Sequence, residues 1–354
     1  MHAVSRRTLL AGLAAAPFGG SRLLCAQPKA AVPAAAELLT PETQRAIDRG
    51  LAWLARRQVV SGRSEGAFGH GGYQGGVAVC SLAGLAFLMS GNPPGQGPLG
   101  KPIDRCVKFI LSCVQETGYI SVPVTGQDNM YGHGFSMLFL AEIYGMANDA
   151  EADKSVGDKL KKAVELTCNC QNDQGGWRYQ PVRDDADLSV TISQIMGLRA
   201  ARDAGLHVPD EVRTKCIEYV KRSQNRDGGF RYQLTGGAST FPLTGAGIVS
   251  FYSAGIYEGE HVKKALEWLE KYVPGRGSAG AGYFFYGQYY AVQAMWHAGG
   301  QYWSKWYPAI RDLLLSRQAN DGSWPDAEVC PEFGTAMAAI ILQMPNNFVP
   351  VFTP

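Results

Sequence analysis

The chain alternates between two kinds of hydrophobic segment. In the first kind the apolar residues form one stripe at helical spacing, as Val212, Cys216, Tyr219 and Val220 do after the acidic start at Asp210. In the second kind almost every residue is apolar or small, and a helix without a polar face is buried on every side. The segments of the second kind are 75–90, 131–146, 188–201, 241–257, 286–298 and 332–342. The pattern therefore predicts half-exposed outer helices that alternate with buried inner helices.

A short phrase recurs about every fifty residues, where an outer helix passes into an inner helix. It consists of Gln, a polar turn, one or two glycines and an aromatic residue. The clearest copies are 171–177, 224–230 and 318–324, and weaker copies at 58–68, 115–119 and 265–283 bring the number of units to six. The glutamine amide can bind backbone groups of the turn, the glycines allow positive φ, and the aromatic ring can pack between neighbouring hairpins. We therefore interpret the phrase as structural.

A unit of this length has room for one helical hairpin, which cannot bury its own apolar face and must stack on its neighbours. Six inner and six outer helices are most simply arranged as two concentric rings. We therefore predict an all-α fold, a closed α/α barrel or toroid of six helical-hairpin repeats over residues 45–345, although an open superhelix also satisfies the pattern. Residues 27–44 are predicted to be a linker, and residues 346–354 a C-terminal tail.

The repeated phrases resemble the repeats of squalene-hopene cyclases and of protein prenyltransferase β subunits, over roughly residues 45–345. The segments 184–191 and 282–324 look closest to exported bacterial proteins named after the prenyltransferase and squalene oxidase repeat. The resemblance implies an α/α toroid with a central cavity. It also implies a terpenoid cyclase-like or prenyltransferase-like protein that binds or transforms an isoprenoid-like hydrophobic ligand, and it leaves open whether this chain is an enzyme.

The N-terminal segment indicates export. Ser5-Arg6-Arg7-Thr8-Leu9-Leu10 is followed by a mildly apolar stretch and by Leu24-Cys25-Ala26, which can supply a cleavage site. This arrangement is typical of a twin-arginine (Tat) signal peptide, here residues 1–26. We expect the protein to pass through the Tat export machinery and to function in the periplasm.

The charge balance gives no indication of nucleic-acid binding. The chain has 33 basic and 31 acidic residues, and loss of the signal with its three arginines leaves 30 basic ones. A mature balance near −1 lacks the basic footprint that nucleic acid requires. No uninterrupted apolar run reaches the length of a membrane span.

The cysteines give only a weak metal signal. Cys25 leaves with the signal, and most of the remaining seven lie in helical patterns where a small buried hydrophobe is expected. Cys168-Asn169-Cys170 is one C-x-C pair without a second pair. We predict no metal and no cofactor, and one disulfide remains possible after export.

The candidate chemistry lies at the starts of the inner helices, which a barrel brings to one mouth. Asp184, Asp185 and Asp187 place three carboxylates within four positions, so their repulsion could raise one pKa and provide a proton donor. The alternative is a solvated loop whose Asp187 caps the helix that begins at Leu188. His133 is the fourth catalytic candidate, with a hydrogen-bonded structural histidine as the alternative.

The chain departs from both enzyme families that it resembles. Cyclases carry an Asp-x-Asp-Asp acid motif, whereas Ala186 stands here in place of the central acid. Prenyltransferases hold zinc with an Asp-x-Cys pair, whereas Asp187 is followed at that spacing by Ser189. A prenyltransferase zinc site is therefore not expected.

Aromatic residues are the candidate ligand contacts. Tyr286 and Tyr290 lie in an aromatic-rich inner segment, and we add Trp177 and Phe230 from the repeated phrases. Such rings can grip a polyprenyl chain or stabilise a carbocation, and they can also stack on sugars. Three hypotheses follow: an isoprenoid-handling enzyme or binder, a non-catalytic periplasmic binding or scaffold protein, and a glycan-active α/α-barrel enzyme.

Overall fold

The computed structural model describes residues 38–122, 129–146, 149–275 and 282–353. These residues contain twelve α-helices, several short 3-10 turns and isolated β-bridges, with no strand among them. The predicted signal peptide and residues 27–37 of the predicted linker lie outside the described residues and stay predictions.

Outer and inner helices alternate along the chain as predicted. The outer helices, each of which buries one stripe, are α1 Pro41–Arg57, α3 Gly100–Ser112, α5 Ala150–Cys170, α7 Asp210–Ser223, α9 Glu260–Leu269 and α11 Gly300–Arg317. The inner helices, which are buried nearly throughout, are α2 Val77–Leu88, α4 Met130–Ile143, α6 Leu188–Asp203, α8 Phe241–Ser253, α10 Phe284–Ala298 and α12 Pro331–Gln343. Helix α8 ends four residues before the predicted position, because Gly255 turns the chain with a φ of 87°.

Hydrogen bonds between the glutamines of the phrase and the next outer helix join consecutive hairpins. Gln171 Nε2 donates to the carbonyl of Gly175 in its own turn, at 2.9 Å, and to that of Val212 in α7, at 2.8 Å. Gln318 Nε2 donates in the same way to Gly322, at 2.9 Å, and to Ala46 in α1, at 2.8 Å. Because α1 is the first of the twelve helices and Gln318 follows the eleventh, this bond closes the ring. The fold is the predicted closed toroid and not an open superhelix.

The aromatic residues of the phrase are fixed by the inner helices. The backbone N–H of Trp177 donates to Thr191 Oγ1 at 3.1 Å, and that of Trp324 donates to Thr335 Oγ1 at 3.0 Å. Both indole rings are buried, and each indole N–H donates to a carbonyl near the end of the preceding outer helix. The structural interpretation of the phrase is confirmed.

The C-terminal tail covers one end of the barrel. The 3-10 turn Pro350–Phe352 lies at the C-terminal ends of the inner helices, where the Val351 N–H donates to Glu142 Oε1 at 3.2 Å. The Phe352 ring packs edge-to-face on Tyr289 of α10, with a centroid distance of 6.1 Å. The open mouth of the barrel is therefore the opposite end, where the inner helices begin.

Candidate functional site

A cavity of about 600 Å³ opens at the N-terminal ends of the inner helices. Aromatic and aliphatic side chains dominate its wall, and no charged side chain belongs to the wall in the described part of the chain. The lining tyrosines are Tyr73, Tyr131, Tyr179, Tyr232, Tyr283 and Tyr286, and the other main contributors are Ala78, Val79, Phe135, Ser189, Leu243 and Phe333. A pocket of this size and lining is typical of small-molecule binding sites.

The repeat explains why these residues converge. Tyr131 and Ser189 occupy the second position of their inner helices, and Tyr286 and Phe333 occupy the third position of theirs. Because the inner helices run in the same direction around one axis, equivalent first-turn positions face the same central space. Tyr179 and Tyr232 each lie two residues after the aromatic of the phrase and reach the same mouth from the turns.

Asp187 is the buried acid next to this cavity. It is fully buried and caps α6, where its Oδ1 accepts hydrogen bonds from the Val190 N–H, at 2.8 Å, and from Ser189 Oγ, at 2.6 Å. Ser189 in turn accepts a hydrogen bond from the Tyr131 hydroxyl. Asp187 Oδ2 has no hydrogen-bond partner and lies 3.8 Å from Arg178 Nε. The capping role that the sequence indicated for Asp187 is therefore present.

Burial sets the protonation of the groups around Asp187. Desolvation raises the pKa of the Asp187 carboxyl, against the lowering effects of Ser189, the Val190 N–H, Tyr232 and Arg178. Desolvation also raises the pKa of Tyr131 and of Tyr286, and the nearby Asp187 adds to both shifts. These tyrosines are therefore neutral hydroxyls at physiological pH.

The structure separates the three predicted acids. Asp184 and Asp185 are exposed on the loop before α6, and Asp185 forms an ion pair with Arg178. Neither of them lines the cavity, and Asp187 contacts its wall through the hydrogen bond from Ser189. The sequence could not distinguish these acids, because their burial depends on how α6 docks in the ring.

His133 lies within the helical wall of the barrel and not on the cavity. It is fully buried, and its Nδ1 accepts a hydrogen bond from the Ile120 N–H at 3.2 Å. Its Nε2 therefore carries the proton and donates to Thr167 Oγ1 at 2.8 Å. The hydrogen bond from the Ile120 N–H to His133 matches those that the backbone N–H groups of Trp177 and Trp324 donate to Thr191 and Thr335. His133 thus fixes a turn.

His133 gives a prediction for acid stability. Desolvation lowers the pKa of its imidazole to about 4 from the ordinary 6.5. Between these values the unfolded state binds a proton that the native state does not, so stability is lost as the pH falls through this window. We expect a loss of about 3 kcal/mol in the free energy of unfolding from this group. Urea denaturation of the wild type and of His133→Gln between pH 7 and pH 4 measures it, and parallel pH profiles of the two proteins would contradict the assignment.

The four predicted ligand contacts have different positions. Tyr286 lines the cavity, and its hydroxyl donates to the backbone carbonyl of Ser189 at 3.2 Å. Tyr290 is fully buried behind it, with a ring-centroid distance of 4.9 Å. Trp177 and Phe230 pack between the rings of helices and do not line the cavity.

Sequence reasoning missed Tyr73, Tyr131, Tyr179 and Tyr232, which line the cavity. Tyr179 and Tyr232 share one position, two residues after the aromatic of the phrase, and Tyr131 shares the second position of its inner helix with Ser189. These repeated positions are the signal that could have identified them.

Two further properties concern metals and membranes. Among the described residues, no three His, Cys, Asp or Glu side chains cluster as metal ligands would. Within the same residues, each helix is too short or too polar to cross a bilayer.

Comparison with known proteins supports the fold and the family resemblance. Residues 133–273 match the model of the prenyltransferase alpha-alpha toroid domain. This match confirms the predicted resemblance to the prenyltransferase and squalene oxidase repeat family. A search of curated protein sequences returns no significant match.

The similar solved structures include proteins of two functional classes. The type II terpene cyclase MstE from Scytonema has a TM-score of 0.59 at 13% identity, over 87% of this chain and 99% of that one. An inactive variant of the α-1,6-mannanase GH76A of Salegentibacter sp. HEL1_6, with two adjacent aspartates changed to asparagine, was solved with α-1,6-mannotriose. It has a TM-score of 0.62 at 9% identity, over 86% and 99% of the two chains. At these identities the likeness shows the fold alone.

Proposed function

We propose that this protein binds an isoprenoid-like hydrophobic ligand in the central cavity of its toroid. The observation that carries the proposal is the wall of that cavity, which is built from tyrosine, phenylalanine and aliphatic side chains. Burial of apolar ligand surface against such a wall contributes about 25 cal/mol for each Å² removed from water. A cavity of about 600 Å³ with a mainly apolar wall therefore favours a hydrophobic occupant.

The family comparison supports the same ligand class. The central part of the chain matches the prenyltransferase toroid domain. A similar structure is that of a single-residue variant of the cyclase MstE, which was solved in complex with its substrate geranylgeranyl dihydroxybenzoate. The ligand of this chain is inferred from the chemistry of its own cavity, with which these relatives agree.

The proposal is one of binding, because the cavity wall offers no acid directly to a ligand. Asp187 is the nearest buried carboxyl, and Ser189 stands between it and the cavity. The Tyr131 hydroxyl donates to Ser189 and Ser189 donates to Asp187, so both hydroxyl protons point towards the acid and not towards a ligand. A direct proton donor of the cyclase kind is not present in the described wall.

The two other hypotheses fit the cavity less well. A glycosidase requires two carboxyl groups on opposite sides of the scissile bond, and the described residues of the wall include no Asp or Glu. A scaffold without a ligand should fill its centre with side chains, as protein cores do. An open space of about 600 Å³ at the mouth favours a binding protein.

Isothermal titration with prenols of increasing chain length tests the proposal. We expect saturable binding of one prenol per chain, with a Kd of about 1 μM and a negative heat-capacity change from buried apolar surface. Mannotriose serves as the comparison ligand and should give no heat of binding. Binding of mannotriose without binding of any prenol would overturn the proposal in favour of a glycan ligand.

A further inference from the structure

We propose that the ligand of the central cavity carries a hydroxyl group that donates a hydrogen bond to the phenolic oxygen of Tyr131. This inference rests on the proposed function and specifies the polar end of the same hydrophobic ligand. It follows from the direction of the hydrogen bonds that connect the cavity wall to Asp187.

The carboxylate of Asp187 fixes the direction of each bond in the series. Asp187 Oδ1 already accepts from the Val190 N–H, so it also acts as the acceptor for Ser189, which gives its single hydroxyl proton to it at 2.6 Å. The Ser189 oxygen can then only accept, and it accepts from the Tyr131 hydroxyl. Tyr131 has thereby used its own proton. Tyr131 lines the cavity, and to a ligand there its oxygen can offer only lone pairs.

Tyr286 is a second tyrosine of the wall whose hydroxyl proton is already used in a hydrogen bond. The Tyr286 hydroxyl donates to the backbone carbonyl of Ser189 at 3.2 Å, so its oxygen also retains only acceptor capacity. The rings of Tyr286 and Tyr131 meet edge-to-face with centroids 6.5 Å apart. The two acceptors therefore lie close together on one side of the cavity.

These acceptors select among polar end groups. A neutral alcohol can donate to them, whereas an ether or a hydrocarbon cannot. A diphosphate is disfavoured, because the described wall contains no cationic side chain to compensate its charge. The ligand class is therefore a hydroxyl-bearing isoprenoid.

Asp187 and Ser189 act here as positioning residues and Tyr131 as the ligand contact. The cap of α6 holds Asp187 in place, because its Oδ1 also accepts from the Val190 N–H at 2.8 Å. Removal of the Ser189 hydroxyl would leave the Tyr131 proton without its acceptor. Tyr131 could then donate to a ligand, which would reverse the preference of the site.

The test compares farnesol with farnesyl methyl ether by isothermal titration. We expect the wild-type protein to prefer the alcohol by roughly 3- to 10-fold, the contribution of one neutral hydrogen bond. Tyr131→Phe should lower this preference, and Tyr131→Phe combined with Tyr286→Phe should bind both compounds with equal affinity. Ser189→Ala should shift the preference towards the ether, which a role in packing alone would not produce. Tyr257→Phe, a partly exposed ring at the other end of the barrel, is the matched control and should keep the wild-type ratio.

The outcomes separate this inference from the proposed function. Equal affinity of the wild type for both compounds would overturn the inference that the ligand carries a hydroxyl group. It would leave the proposal of a hydrophobic ligand intact. Failure of both compounds to bind would overturn the proposed function and this inference with it. If Tyr131→Phe does not fold, the Ser189→Ala ratio decides, and an unchanged ratio there contradicts the inference.

Discussion

Replacement of Ala78 by tryptophan is expected to weaken prenol binding by about a hundredfold or more, which corresponds to about 2.7 kcal/mol. Ala78 lies in the first turn of α2, its side chain is only half-buried, and it lines the cavity. An indole at this position would occupy the space assigned to the ligand. Since the added ring enters an open cavity and not the packed core, the protein should keep its fold.

The comparison variant for this experiment is Ala152→Trp. Ala152 is exposed on the outer helix α5, so the same chemical change there should leave the prenol affinity within about twofold. Both variants are titrated with the same prenol after thermal melting has shown that they fold. Wild-type affinity in a folded Ala78→Trp protein would show that the ligand binds elsewhere.

Replacement of Trp324 by alanine is expected to lower the free energy of unfolding by about 3–5 kcal/mol. The Trp324 side chain is fully buried, and its indole N–H donates to the Leu314 carbonyl at 2.8 Å. Its ring packs directly against Gly50 of α1, where an added Cβ would come within 2.6 Å of it. The residue therefore fills the joint at which the last hairpin meets the first, and its removal leaves a cavity there.

Urea denaturation and hydrogen exchange together measure this effect. Trp324→Phe keeps most of the ring and loses the indole hydrogen bond, so it should cost less than the alanine variant. In Trp324→Ala the amides of α1 should exchange faster, although α1 lies some 270 residues away in sequence. The reason is that the first and the last hairpin both contribute to this contact. Faster exchange confined to the last hairpin would contradict closure at this joint.

The sequence predicted the individual helices more directly than the closure of the twelve described helices into a ring. The inner helices were recognisable because segments such as 188–201 have no polar face, and a helix of that kind has to be buried. Closure could not be derived, because the Gln318 amide meets the Ala46 carbonyl across 272 positions. Nothing local in either residue specifies that partner. The recurrence of Gln in the phrase indicated only that its amide forms hydrogen bonds with backbone groups.

The site was predicted in part. Asp187 was identified as a helix cap because it directly precedes an apolar run, and Tyr286 as a cavity residue because it begins an inner helix. The contrast between buried Asp187 and exposed Asp185 was not predictable, since adjacent acids share the same local pattern. Tyr131 was missed because its importance comes from Ser189, 58 residues away, to which it donates its proton.

The measurement that tests the central claim most directly is native mass spectrometry of the purified protein after incubation with an equimolar mixture of farnesol and mannotriose. A hydrophobic ligand site in the central cavity predicts one farnesol per chain in the wild type and none in Ala78→Trp, with no mannotriose on either protein. Binding of mannotriose in place of farnesol, or farnesol retained equally by Ala78→Trp, would contradict a hydrophobic ligand site at the centre of the toroid.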